Sequence, residues 1–263
     1  MIIFRDRRVR GMQSPAGGGR PEMSSRHLIL SIALVTSGAV AQTPQPAVTQ
    51  VKPPGRPQVT YAYTLIDPRR AALSVKGFDQ PTQVGAVPAK LSCGGVAITG
   101  GFSRRSGNGL KPEGLIRTDR GQLSGLANWK DGGVLWAAGD EVRIIRIAAW
   151  KSSSNAAGQA LQTRPLLVFD GRVDEPLNDK RRWNRVAVGT MRDGRVVLIG
   201  AFTARNDAVT LREFAQDAIA ILGPNLASLL NMDGGPSAFL LSRDVRLLPA
   251  PGVVTTYVCA EGR

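Results

Sequence analysis

The stretch RVAVGTMRDGRVVLIGAF (185–202) decides the fold class. Two apolar, β-branched runs, 186–190 and 196–201, flank Asp193-Gly194. Glycine supplies positive φ without steric cost, and a tight turn of this kind joins antiparallel strands. The spacing therefore predicts a β-hairpin. The same grammar recurs outward along the chain. Residues 134–137 and 142–147 flank Gly139-Asp140 as a second hairpin, and GLIRTDRGQL (114–123) reads strand, turn, strand. Residues 166–169 run into the turn Asp170-Gly171. VTYAYTLI (59–66) alternates and is rich in β-branched and aromatic residues, so it is predicted as a strand with 71–75 as its partner. Short apolar runs at 96–99, 238–241 and 253–259 add three more strands.

One helix stands out. Thr210 and Glu213 form a capping-box pattern. Leu211, Phe214, Ala215, Ala218, Ile219 and Leu222 follow at helical spacing, and Gly223-Pro224 supplies the stop. Many strands with few helices predict an α+β fold: a single domain with a mixed or antiparallel β-sheet core and a few packing helices. No repeat of fixed period is present.

The chain has 263 residues, 43% hydrophobic and 21% charged, which suits a globular protein with a sizeable core. Residues 23–41, MSSRHLILSIALVTSGAVA, have the three parts of a secretory signal: a short basic start, an apolar run and a small-residue cleavage site. Residues 1–41 are read as leader and signal peptide. The Pro- and Gln-rich segment 42–57, QTPQPAVTQVKPPGRP, is read as an extended linker, and 58–263 as the domain. The expectation is an exported protein, periplasmic or extracellular, with no stable membrane span after cleavage.

Cleavage after Ala41 would remove the chain's one histidine, His27. Ser-His-Asp and Cys-His catalysis and histidine metal ligation are then excluded. The chemistry falls to carboxylates, hydroxyls, amides, Arg, Lys or a metal held by oxygen. Export would also place the two cysteines, Cys93 and Cys259, where disulfides persist, and a bridge between them is predicted. Two buried free thiols are the other reading. The formal charge falls from +14 for the whole chain to +10 beyond residue 41. Export and the lack of aromatic–basic interleaving argue against nucleic acid as the partner.

The candidate site is NMDGGPS (231–237). A strand delivers Asp233 to a turn in which Gly234 and Gly235 allow positive φ and close approach of a ligand. Successive backbone N–H groups there would form an anion nest, with the Ser237 hydroxyl beside it. An ordinary Asp-Gly turn has the same spacing. TGGFS (99–103) places Gly100 and Gly101 directly after another strand. Arg185 ends the basic cluster KRRWNR (180–185) and suits bidentate recognition of phosphate or carboxylate; Arg104 and Arg105 are weaker candidates. Glu113 and Asp170 are the other carboxylates near such turns, either of which could partner Asp233.

Taken in order, TGGF (99–102), PEGL (112–115), RPLLVFDG (164–171), RVAVGTMRDGR (185–195), TLREFAQDAIAILG (210–223) and LNMDGGPS (230–237) resemble the phosphodiester glycosidase family. The chain departs from the family pattern at Thr99, where the family has Asn, at Arg164, where it has Gly, and at Pro236, where it has a third Gly. The resemblance implies an exported hydrolase that cleaves a sugar 1-phosphodiester between sugar and phosphate. It implies Asp233 as a catalytic or metal-binding carboxylate with Ser237 beside it, and Gly234 and Gly235 lining the anion site. Arg185 would hold phosphate, and Thr99, Gly100 and Gly101 would form the facing wall. The expected partner is an anionic or phosphorylated glycan. A divalent cation such as calcium would suit oxygen ligands, although no calcium-loop motif is present. The alternative is a catalytically inactive binding module for anionic polysaccharide, to which the departures at Thr99 and Pro236 point.

Overall fold

A computed structural model describes residues 45–152, 157–177, 180–249 and 251–263. The chain divides at Ala41/Gln42 into two units, and only the second falls within the described residues. The predicted signal segment lies outside them.

The predicted hairpin is present: strand Arg185–Met191 pairs antiparallel with strand Val196–Phe202. Both lie inside a seven-stranded sheet whose order, in terms of residues, is Thr49–Val51, Thr60–Ile66, Val196–Phe202, Arg185–Met191, Leu226–Asn231, Leu166–Phe169 and Arg172–Val173. Every residue of Val196–Phe202 is buried. One face of this sheet meets a core built with the other two large sheets, through Val186, Val188 and Leu198. Its other face, through Ala187, Val197 and Ile199, is covered by Phe214, Ala215 and Ala218 of helix Leu211–Leu222. A strand buried on both faces reads as a continuous apolar run, as this one does. The helix begins with the predicted capping box: Thr210 Oγ1 accepts from Glu213 N–H, and the Glu213 carboxylate accepts from Thr210 N–H.

The second sheet has the order Arg246–Leu247, Leu240–Leu241, Val96–Thr99, Val253–Gly262 and Ala71–Gln83. The third has the order Glu141–Arg146, Gly133–Ala138, Gln159–Thr163, Ile116–Thr118 and Gly121–Ser124. Ile98 and Val258 of the second and Ile116, Leu135 and Leu161 of the third share the main core. The strand pairings are antiparallel throughout the described residues. The fold is thus mostly antiparallel β with some helices, more strand-rich than the expected α+β. No helix of the described residues is long and apolar enough to cross a membrane.

Two expectations are corrected. Residues 71–75 do not pair with 59–66. A turn at Asp67–Arg70 carries the chain into the second sheet, where Ala71–Gln83 pairs with Val253–Gly262. The neighbours of Thr60–Ile66 are instead Thr49–Val51 and Val196–Phe202. The segment read as a linker supplies that edge strand. It is also pinned to the helix, because Arg56 pairs with Asp217 and with Glu213. The disulfide Cys93–Cys259 is present, with the two Cα atoms 5.8 Å apart across a sequence separation of 166.

Candidate active site

Strand Leu226–Asn231 lies between Arg185–Met191 and Leu166–Phe169. Past its end, Met232 N–H donates to Val186 O (2.9 Å), so the chain stays against its neighbour as far as Met232. Asp233 N–H then donates to Gly100 O (2.9 Å), which ties this strand end to the end of Val96–Thr99 in the second sheet. The predicted turn therefore joins two sheets. Its glycines are required by space and by torsion. A Cβ on Gly234 would lie 2.8 Å from Asn184 O, and Gly235 has φ +57°.

The turn is not the open anion nest expected. Gly235 N–H donates to Asn184 O, Ser237 N–H to Gly234 O and Ala238 N–H to Gly235 O. Pro236 has no N–H to offer. The Gly234 N–H is turned to the Asp233 carboxyl. Gly234 and Gly235 line a cleft, but their amides serve the protein.

Asp233 carries the electrostatic anomaly of this turn. Burial pushes its carboxyl up to about 7, against the opposing pull of hydrogen bonds from Ser237 and from Gly234 N–H. Removing a carboxylate from water penalises the charged form, and no cation among the described residues offsets that. Ser237 Oγ also donates to Val253 O (3.1 Å). A hydroxyl has one proton, so Ser237 serves Val253 O or ionised Asp233, and can accept from Asp233 when the latter is protonated. Ser237 thus stands behind Asp233 as a support.

The cleft has a volume of about 940 Å³. Asp233, Arg185, Glu113 and Asn231 line it, together with the aromatic rings of Phe102, Trp129 and Trp183. Arg185 is only 7% exposed. Its Nε donates to Val209 O (3.3 Å) and its Nη2 to Arg181 O (2.9 Å). Those bonds fix the plane of the guanidinium at the cleft wall.

The facing wall expected from Thr99, Gly100 and Gly101 is corrected: these residues lie behind the turn. Thr99 is fully buried. Its hydroxyl donates to Ser237 O (2.7 Å) and accepts from Phe239 N–H (2.9 Å). Both roles brace the turn. Gly100 leaves no room for a Cβ, which would lie 2.6 Å from Thr256 Oγ1. Gly101 N–H donates to Thr256 Oγ1. Asp170 is also not a partner of Asp233; it sits in its own turn and pairs with Arg192 (2.9 Å). Arg104 and Arg105 belong to the exposed hairpin strand Ser103–Ser106.

The sequence assigns no role to Asn231, which opens the NMDGGPS stretch, or to Asp131, Trp129 and Trp183, all of which line the cleft. Trp183 was in view only as part of a basic cluster. Among the described residues, one group of three brings metal-ligand atoms together, Cys93, Cys259 and Glu261, and there the disulfide engages both sulfurs. The cleft carboxylates form no such group.

A family model described as phosphodiester glycosidase matches residues 94–253, a span that includes Thr99, Glu113, Arg185 and the whole Asp233 turn. The chain belongs to the phosphodiester glycosidase family. No curated protein matches it. Two solved structures share the fold of this family member. One is the catalytic domain of zebrafish N-acetylglucosamine-1-phosphodiester α-N-acetylglucosaminidase, auto-inhibited by its pro-peptide, at 14% identity over 83% of each chain with a TM-score of 0.62. The other is a hypothetical protein from Synechocystis, at 16% identity over 83% of this chain and 62% of that one, with a TM-score of 0.57.

Proposed function

We propose that the protein is an exported hydrolase of sugar 1-phosphodiesters, breaking the bond between the anomeric carbon and the phosphate oxygen. Family membership supports hydrolysis of a glycosidic phosphodiester. The observation that carries the reading to this cleft is a carboxyl raised by burial on the same cleft as an anchored guanidinium.

Asp233, whose carboxyl burial raises to about 7, gives its proton to the bridging phosphate oxygen as the sugar–oxygen bond breaks. Water adds to the anomeric carbon through an oxocarbenium-like transition state. Glu113, on the same cleft, takes the proton which that water releases. The products are a free sugar and a phosphomonoester. Arg185 holds the phosphate, a task that falls to side chains because the turn's amides are engaged. Its orientation is set before the substrate arrives, which is the condition for strong charge stabilisation. Segment 23–41 supports export.

A second reading, an inactive module that binds anionic polysaccharide, is favoured by Pro236 and by the closed nest. Incubating the full chain with a panel of glycosyl phosphodiesters and following phosphorus resonances separates the two. Growth of a phosphomonoester signal supports the hydrolase. Retention of an acidic polysaccharide without turnover of any phosphodiester supports the binding module.

A further inference from the structure

We infer that Asn231 and Trp183 form the sugar-recognising part of the cleft, Trp183 offering an indole face to the pyranose ring and Asn231 Oδ1 accepting one O–H or N–H of a ring substituent. This deepens the hydrolase reading above and rests on it for the identity of the ligand.

Asn231 is a cleft residue only 4% exposed. Its position is held on three sides. The main-chain N–H donates to Pro165 O (3.2 Å), the main-chain O accepts from Thr163 Oγ1, and Nδ2 donates to Arg164 O (2.9 Å). The last bond also settles which end of the amide is oxygen. That oxygen, Oδ1, is buried and has no hydrogen-bond partner. A buried acceptor left unmet costs about 1–3 kcal/mol, and native proteins rarely keep one without a reason. An amide oxygen only accepts, so its partner must bring a donor. A phosphodiester oxygen cannot serve, whereas a sugar hydroxyl or an acylamino N–H can.

Trp183 supplies the second observation. Its main chain is locked by paired bonds with Val209 (3.0 and 3.1 Å). One side of its ring rests on Gly235, where a Cβ would stand 3.6 Å from Cδ2 and Cε3. No aromatic ring or cation is stacked on this indole among the described residues. Trp129 differs, since Arg164 lies over its ring at 5.0 Å and Phe102 meets it edge-on. Asn231 and Trp183 flank the reacting groups: Asn231 is two residues before Asp233, and Trp183 two before Arg185 on the neighbouring strand.

The test uses the full chain and glycosyl phosphodiesters in which one ring substituent at a time is replaced by hydrogen. One such deoxy analogue should lose about 10- to 100-fold in kcat/KM with the native protein. In Asn231→Leu that penalty should shrink to within about threefold, because the acceptor that read the donor is gone. The comparison is made within each variant, so a smaller folded fraction cancels. Trp183→Ala should raise KM about 10-fold or more with kcat little changed. A penalty equally large in native protein and Asn231→Leu at every ring position would overturn the inference, as would the absence of any penalty. If no phosphodiester is turned over, the same cycle is run by calorimetry with the free parent and deoxy sugars. Binding with the same pattern would sustain the subsite and remove the hydrolase reading; no binding of any sugar would remove both.

Discussion

Arg185 and Asp233 reach one cleft from neighbouring strands, Arg185 as the first residue of one and Asp233 two residues past the end of the other. Ala187 is the register partner of Asn231 and Met232 N–H reaches Val186 O, after which Asp233 N–H turns to Gly100 O and Gly235 N–H to Asn184 O. The two side chains line one cleft, one a buried cation anchored on carbonyl oxygens, the other a carboxyl raised toward neutrality by burial. The antiparallel ladder, in register as far as Ala187 and Asn231, carries the chain on both strands to the same cleft.

Asp233→Asn should lower kcat/KM by about 10²- to 10⁴-fold, the usual weight of a general acid. In the parent, activity should fall above about pH 7, as the proton leaves Asp233. The same shift has a stability consequence. The folded-state value of about 7 lies above the ordinary 3.8, so the contribution of this proton to stability is full below about pH 4 and is lost as pH rises through 7. Asp233→Asn lacks that dependence. Its thermal midpoint should exceed that of the parent at pH 8, by no more than about 4 kcal/mol in unfolding free energy, and the gap should close at pH 4. Thermal melts of both proteins across this range check the sign.

Arg185→Lys keeps the charge but loses the planar fork. It should raise KM by roughly 10- to 100-fold, as expected for a charge-assisted contact worth about 1.5–3 kcal/mol. Val209 O and Arg181 O lose their fixed donors as well, so the midpoint should also drop. Steady-state kinetics beside melting curves would show both effects.

Gly100→Ala tests the junction between the sheets. The new Cβ would meet Thr256 Oγ1 at 2.6 Å and main-chain atoms of Thr256 and Tyr257 at 2.8 and 2.9 Å. Backbone cannot yield as a side-chain tip can. A loss of about 1–3 kcal/mol is expected by denaturant titration, with activity falling further than stability because Gly100 O holds Asp233 N–H.

Much of the fold was legible because it is local. The Asp193-Gly194 hairpin and the Thr210–Glu213 capping box each declare themselves within a few residues. The pairing of Ala71–Gln83 was not, since its partner, Val253–Gly262, lies at the far end of the chain and competes with a nearer strand of similar composition. Thr49–Val51 is three residues long and too short to show a period. At the site, the Asp-Gly-Gly turn was visible, but the destination of its amides was not: the closed nest depends on Asn184, some fifty residues away. The family resemblance implies Thr99 as part of the site wall, and only its burial and hydrogen bonds reveal it as a brace. The orphaned Oδ1 of Asn231 is a property of packing that no spacing expresses.

Replacing Cys93 and Cys259 together by serine should cost about 5 kcal/mol, the chain-entropy value for so long a loop. Neither cysteine lines the cleft, so the fraction that stays folded should keep the parental kcat. Non-reducing mass spectrometry of the parent should find no alkylated cysteine, consistent with the absence of free cysteines in the described structure.

The central claim concerns which bond breaks, and hydrolysis in water enriched in oxygen-18 tests it most directly. With a glycosyl phosphodiester as substrate, attack at the anomeric carbon leaves every original oxygen on phosphorus. Mass spectrometry should then find the released phosphomonoester unlabelled and the heavy oxygen on the sugar. Oxygen-18 in the phosphomonoester would mean that water attacks phosphorus, and would contradict the roles given to Asp233 and Arg185.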